Sequence, residues 1–182
     1  LVAAARARPG DLAAANAGNG TVGHLAGELF ARAAGIQLLH VPYRGAAPAV
    51  ADVLGGRAHL FFSNPLAVGS LVAGGRLRPL AVTSAGRARG LPEVPTLAEQ
   101  GFPGFDVRLW TGLVGPARLP DAVVSATSAA LRALLAEPET QARMANEGSE
   151  PFPGSPAEFA AFLRREHETW GRVVREANIR LG

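Results

Sequence analysis

Three short stretches of this 182-residue chain hold the residues best suited to gripping an anion. They are Gly18-Asn-Gly-Thr-Val-Gly-His24, Tyr43-Arg-Gly-Ala-Ala-Pro48 and Ser63-Asn-Pro65, and each joins a strand-like run to a helix-like run. A helix start leaves backbone N–H groups without intrahelical partners and carries the positive end of the helix dipole, so it attracts carboxylates and phosphates. Gly45, Ala46 and Ala47 present almost no side chain, which lets a ligand approach that backbone closely. Thr21 and Asn64 are N-cap residue types, able to serve either their own helix or a ligand. His24, in the first turn of its helix, could likewise reach a ligand or serve packing.

Bond-making chemistry finds little support. His24, His40, His59 and His167 show no metal-ligand spacing, and His40 and His59 read as structural residues on strands. Glu28, Asp52, Glu99 and Asp106 form no recognisable acid pair, and no G-x-S-x-G nucleophile elbow is present. Without cysteine there is no thiolate nucleophile, thiolate metal site or disulfide framework. One enzymatic alternative stays open. Gly18-Asn-Gly-Thr-Val-Gly23 fits the dinucleotide fingerprint G-x-G-x-x-G, and Arg44 ends the second strand where an NADP 2′-phosphate would need a cation. Against it, Leu12-Ala-Ala-Ala-Asn16 is a poor version of the strongly apolar strand that normally precedes that turn.

The elements flanking the turns follow from hydrophobic period and from glycine and proline stops. Residues 12–16 read as a weak strand, and 22–34 as a helix with Leu25, Leu29 and Ala33 on one face. A strand at 37–41, a helix at 48–54, a strand at 58–62, a helix at 65–73 and a strand at 80–83 follow. Strand–helix–strand units of this length imply right-handed crossovers and a parallel sheet, an α/β fold. All three turns then fall at the carboxyl ends of strands, where open α/β sheets bind ligands.

Beyond residue 84 the chain becomes loop-rich. Within that stretch Thr96-Leu-Ala-Glu99 reads as a capping box and 105–114 as a long strand. Helices are expected at 121–136, with Val124, Thr127, Leu131, Leu134 and Leu135 along one face, and at 139–147. Ser155-Pro-Ala-Glu158 opens a last helix, with a capping serine, a proline in the first turn and a reciprocal glutamate. Phe159, Phe162, Leu163, Trp170, Val173 and Val174 follow at helical spacing, as a core stripe.

Composition narrows the partners. All 18 basic residues are arginine, which lifts the pI to 10.8 while the net charge is only +3. The arginines are scattered in ones and twos, without the basic stripe or interleaved aromatics of a nucleic-acid groove, so no nucleic-acid partner is expected. No uninterrupted apolar run reaches membrane-spanning length. A start at Leu1 without signal-peptide character reads as a chain whose amino-terminal portion lies elsewhere.

Two motifs carry a family resemblance: Ala17-Gly-Asn-Gly-Thr-Val-Gly-His-Leu-Ala-Gly-Glu-Leu-Phe30 and His40-Val-Pro-Tyr-Arg-Gly-Ala-Ala-Pro-Ala49. Leu80-Ala-Val-Thr-Ser84, Leu91–Glu99, Gly101–Phe105 and Trp110-Thr-Gly-Leu-Val-Gly-Pro116 continue it in order. The chain resembles the Bug-type extracytoplasmic solute receptors, the substrate-binding proteins of tripartite tricarboxylate transporters. The resemblance implies a periplasmic-binding-protein-like (Venus flytrap) fold, with residues 1–108 as the second α/β lobe and 109–182 as a crossover strand and helices returning to the first. It implies a periplasmic, non-enzymatic receptor without cofactor or metal, which takes a small carboxylate solute to a membrane permease. The pocket positions it suggests are Asn19, Gly20, Thr21, Gly23, His24, Gly45, Ala46, Ala47 and Asn64. Val22 and Ser63 depart from the family's usual serine and aspartate, and Leu119-Pro120 from its threonine–proline helix start. Without the first lobe, the carboxy-terminal helices are expected either to self-associate or to expose an apolar patch.

Overall fold

The computed structural model describes residues 1–146, 149–176 and 179. The chain forms two compact units, one of Leu1–Leu109 with Trp170–Gly182 and the other of Trp110–Thr169.

The first unit is built on three parallel strands in the order β2-β1-β3, with β1 Ala13–Asn16, β2 Leu39–Pro42 and β3 Leu60–Phe61. The alanines that make β1 a weak strand in sequence suit it to the central place. Ala14 faces one core, and Ala13 and Ala15 face another, in the alternation of a pleated strand covered on both sides. Small side chains there let the flanking helices come close.

On one face α2 (Val22–Ala34) contributes Ala26, Phe30, Ala31 and Ala34, joined by Ala5 of α1 (Val2–Ala7) and by Leu97, Phe105 and Val107. Leu25 is buried and Leu29 packs on this core as expected, while Ala33 is exposed and the buried face runs through Phe30 to Ala34 instead. Phe30 anchors that face, meeting Phe62 and Phe102 at ring separations of 5.8 and 5.3 Å. On the other face lie Ala49 of α3 (Ala46–Leu54) and Ala58. The α4 helix, Pro65–Ala73, follows β3. From the last segment, Trp170 packs against the α2-side core, Val173 is buried, and Arg32 bonds the side chain and carbonyl of Glu176.

The observed bounds of α2 and α4 match the expected ones; β1 starts one residue later than expected, β2 runs Leu39–Pro42 instead of 37–41, and four further stretches differ. The α3 helix starts at Ala46, two residues before Pro48, because a proline in the first turn removes an N–H that has no helical partner anyway. β3 shrinks to two residues. His59 pairs with Ala13 partly through its ring, whose Nδ1 accepts the Ala13 N–H at 2.9 Å in place of a backbone carbonyl. The run at 80–83 makes one parallel bridge, Val82 to Thr96, and no strand. Residues 105–114 are not a strand either, and Val107 bonds Thr83 through N–H to O at 2.8 Å. The Thr96–Glu99 capping box forms with both reciprocal bonds, at 2.7 and 3.0 Å.

The second unit holds α5 (Asp121–Ala136), α6 (Pro138–Asn146) and the first part of α7 (Pro156–Glu176). The expected stop of α6 at Gly148 lies outside the described residues. The Ser155–Glu158 cap closes as expected, with Ser155 N–H to Glu158 Oε2 at 2.7 Å. Trp110 meets Phe159 and Phe162 edge-on and donates its ring N–H to Glu166 at 2.9 Å. Among the described residues, no helix is long and apolar enough to cross a membrane.

Candidate functional site

Because β1, β2 and β3 are parallel neighbours, the three turns that follow them share one edge of the sheet. The first turn is tied down most closely. Asn16 accepts the Gly18 N–H on its side-chain oxygen at 3.0 Å, and Thr21 returns its own N–H to the Gly18 carbonyl at 3.2 Å. Gly20 donates its N–H to His24 Nδ1 at 3.1 Å. Gly18 and Gly20 have φ of 139° and 77°, a region that disfavours any side chain. The turn also reaches both neighbours. Tyr43 N–H bonds the Asn16 carbonyl at 2.9 Å, and a Cβ at Gly23 would run into the Phe62 carbonyl. Gly23 therefore lets α2 lie against the end of the third strand.

Asn19, Ala47 and Asn64 are exposed, while Gly20, Thr21, Gly23, Gly45 and Ala46 are half-buried and His24 is buried. The three helix starts are unequal. Thr21 occupies the N-cap of α2, yet its hydroxyl donates to the Gly18 carbonyl at 2.8 Å and caps nothing. Gly45 precedes α3 at φ 107° and has no side chain to cap with. Asn64 does cap α4, accepting the Ala67 N–H at 3.0 Å. The amides opening α2 and α3 are thus left without side-chain acceptors, while α4 supplies its own. Behind the second turn, Tyr43 donates to Asp52 at 2.8 Å and Arg57 holds the other carboxylate oxygen at 2.9 Å. Those bonds, Arg57 first and then Tyr43, keep the Asp52 carboxyl below its usual range.

Beneath the first turn the fold gathers residues that the sequence did not mark as a group. Glu28 sits one turn after His24 on α2, and β2 brings His40 alongside. Glu28 Oε1 is 3.3 Å from His40 Nε2 and 3.8 Å from His24 Nε2, and the two imidazole centroids are 4.9 Å apart. His40 makes no well-directed hydrogen bond from either buried ring nitrogen, despite the 3.3 Å approach of Glu28. Burial holds both histidines below their ordinary pKa, and the Glu28 charge opposes that shift. The Asn16 side-chain N–H2 is also buried without a partner, at the end of the central strand.

Two histidines and a carboxylate within 4.8 Å of one another have spacing that could hold a metal ion. The proton inventory argues against it. Ligation through His24 Nε2 would put the ring proton on Nδ1, where the Gly20 N–H already points. Of the three, His24 touches the turn through the Gly20 N–H, with Glu28 and His40 packed beside it.

An open parallel sheet with small-residue, uncapped helix starts on its carboxyl edge is an α/β lobe suited to taking an anion at that edge. The sequence profile described as "Tripartite tricarboxylate transporter family receptor" matches residues 1–179, and the chain belongs to that family. It is 39% identical over 180 residues to the protein of the tcbD-tcbE intergenic region of a Pseudomonas sp., covering 98% of this chain and 54% of that one. It is 33% identical over 181 residues to protein BugT of Bordetella pertussis, covering 100% of this chain and 56% of that one. The chain thus spans about half the length of these curated relatives. An R. palustris protein solved with adipate superposes with a TM-score of 0.87 at 34% identity, over 98% of this chain and 60% of the other.

Proposed function

We propose that this chain is the carboxylate-gathering part of a periplasmic, non-enzymatic receptor that delivers a small carboxylate solute to the permease of a tripartite transporter. The observation that carries the reading is the pair of uncapped helix starts, α2 and α3, side by side on the sheet edge of a chain of this family. Their amides supply positive field and unpaired donors where a carboxylate needs them. Asn19, Gly20, Thr21, Gly23 and His24 form the first wall, Gly45, Ala46 and Ala47 the second, and Asn64 flanks them. Residues 1–108 act as one lobe, and the helices from 109 onward return to the other. Adipate in the R. palustris relative supports a dicarboxylate of that size as the probe. Family membership favours this reading over the NADP alternative.

Calorimetric titration of the 182-residue chain with adipate and with NADPH tests it. Adipate binding is expected and NADPH binding is not; the reverse result overturns the reading. Thr21→Val removes the hydroxyl that braces the Gly18 carbonyl, so adipate should bind about fivefold to tenfold more weakly, the equivalent of roughly 1 kcal/mol. Unchanged affinity removes Thr21 from the site.

Self-association through the carboxy-terminal helices is part of the same proposal. Leu131 and Leu134 are 39% and 49% exposed on α5, and Val123 is 46% exposed. Concentration-dependent sedimentation supports it, and a monomer at high concentration rejects it.

A further inference from the structure

We propose that Glu28 and His40 are positioning residues for the solute turn, fixing the proton of His24 on Nε2 so that its Nδ1 anchors the Gly20 amide, and that acid releases this anchor and lowers carboxylate affinity. The proposal rests on the receptor reading for its last step alone; the anchor itself stands on the geometry.

A neutral imidazole has one donor and one acceptor nitrogen. His24 Nδ1 receives the Gly20 N–H at 3.1 Å, so it carries no proton, and the ring hydrogen sits on Nε2. Nε2 faces Glu28 Oε1 at 3.8 Å, too far for a hydrogen bond but close enough for the carboxylate to favour N–H at that position. The opposite tautomer would set two N–H groups head to head at Gly20 and point a lone pair at a carboxylate. His40 crowds the same carboxylate oxygen, its Nε2 lying 3.3 Å away without a well-directed hydrogen bond. His40 is itself fitted against α2, since a Cβ at Gly27 would lie 2.9 Å from its Cε1. Three elements thus converge on the orientation of one ring.

Acid disturbs this support in a defined way. A second proton on His24 must go to Nδ1, and imidazolium is a donor at both nitrogens. The Gly20 N–H then faces another N–H, and the turn loses its bond to the His24 ring, with Thr21 still joined to the Gly18 carbonyl. Gly20 and the preceding Gly18 offer little resistance to reorientation, because glycine occupies either side of the φ map. Among the described residues, the ionisable groups facing His24 are Glu28 on its own helix and His40 from β2. The end of the third strand meets α2 at Gly23 and Gly27 through Phe62, which does not ionise. One carboxylate can offset one imidazolium, so the two histidines compete for it. Burial keeps both neutral near pH 7, and the Glu28 charge works the other way. Each histidine accordingly takes its proton at lower pH than an ordinary imidazole, and removing the Glu28 charge should move that step lower still.

Side-chain and amide 15N NMR of the 182-residue chain, without solute, reads the anchor directly. The expected result is His24 in the Nε2–H tautomer at neutral pH, with the Gly20 amide shifting at the same midpoint as His24 protonation. A Nδ1–H tautomer, or a Gly20 amide indifferent to that protonation, overturns the proposal. Adipate titrations across the same pH range read the consequence. Affinity should fall below the His24 midpoint toward about tenfold per pH unit, the slope of one linked proton. Glu28→Gln should lower the midpoint of both readouts together. Affinity that rises with acid, as simple attraction between imidazolium and carboxylate would give, also overturns it. Adipate binding that is absent at every pH counts against the receptor reading, while the tautomer and the Gly20 shift still decide the anchor.

Discussion

In the unit of Leu1–Leu109, the helices beside the sheet reach the interior mostly with alanine and glycine around the single ring of Phe30, so backbone lies close to backbone at Gly23. In the unit of Trp110–Thr169, α5 buries none of its 16 residues, and contacts run between aromatic rings. The first arrangement fixes positions to within a methyl group, because a peptide carbonyl has nowhere to move. The second is adaptable, since a ring can swing about its side-chain bonds. A site made of backbone amides needs the first kind of support, and that is where the three turns lie. The second unit offers surface: Leu113 and Val114 are 64% and 73% exposed.

Adding one methyl group to each unit gives the largest contrast. At Gly23 the new Cβ would strike the Phe62 carbonyl, which belongs to the end of the third strand. Gly23→Ala should lose roughly 1–3 kcal/mol of stability through overpacking, reduced by the better helix propensity of alanine, and should weaken adipate binding with it. At Gly112 the new Cβ would meet the far edge of the Phe159 ring, which is only half-buried. Gly112→Ala should change stability by less than about 0.5 kcal/mol. Urea unfolding of both variants checks this. Equal losses would show that the second unit is packed as tightly as the first.

The sequence is readable where local chemistry decides the outcome. Val22–Ala34 ends at Gly35 with φ 59°, and Pro65–Ala73 starts at a capping asparagine with proline behind it, so both helices carry their limits in their own residues. Strand pairing is not local. Nothing in the run at 58–62 tells that the His59 ring would replace a ladder bond, and nothing in 105–114 shows that it lacks a partner strand beyond the Val107–Thr83 bonds. The three turns were legible as turns, from glycine, alanine and cap residues. Which amides stay open was not, because threonine and asparagine are both good caps, and only geometry shows Thr21 bonding backwards while Asn64 bonds forwards. Glu28 and His40 were invisible as a pair, since they meet only after β2 is laid beside β1. Asn16 carried a faint signal, an asparagine before a glycine-rich turn.

Asn64 gives the smallest and most discriminating test, because two roles compete for one side chain. Its oxygen caps α4 at 3.0 Å from the Ala67 N–H, and its amide N–H2 remains as the only group able to face a solute. Asn64→Ala removes both and should cost about 1 kcal/mol of stability. Asn64→Ser keeps an N-cap oxygen but has no amide to offer, so stability should return to within about 0.5 kcal/mol of the parent. Adipate affinity is expected to fall a few-fold in both variants, since the amide donor is missing from both. A serine variant that is stable and binds adipate like the parent would assign Asn64 to the helix alone. The third turn would then drop out of the site, leaving the carboxylate to the amides of α2 and α3, the two helix starts without side-chain caps.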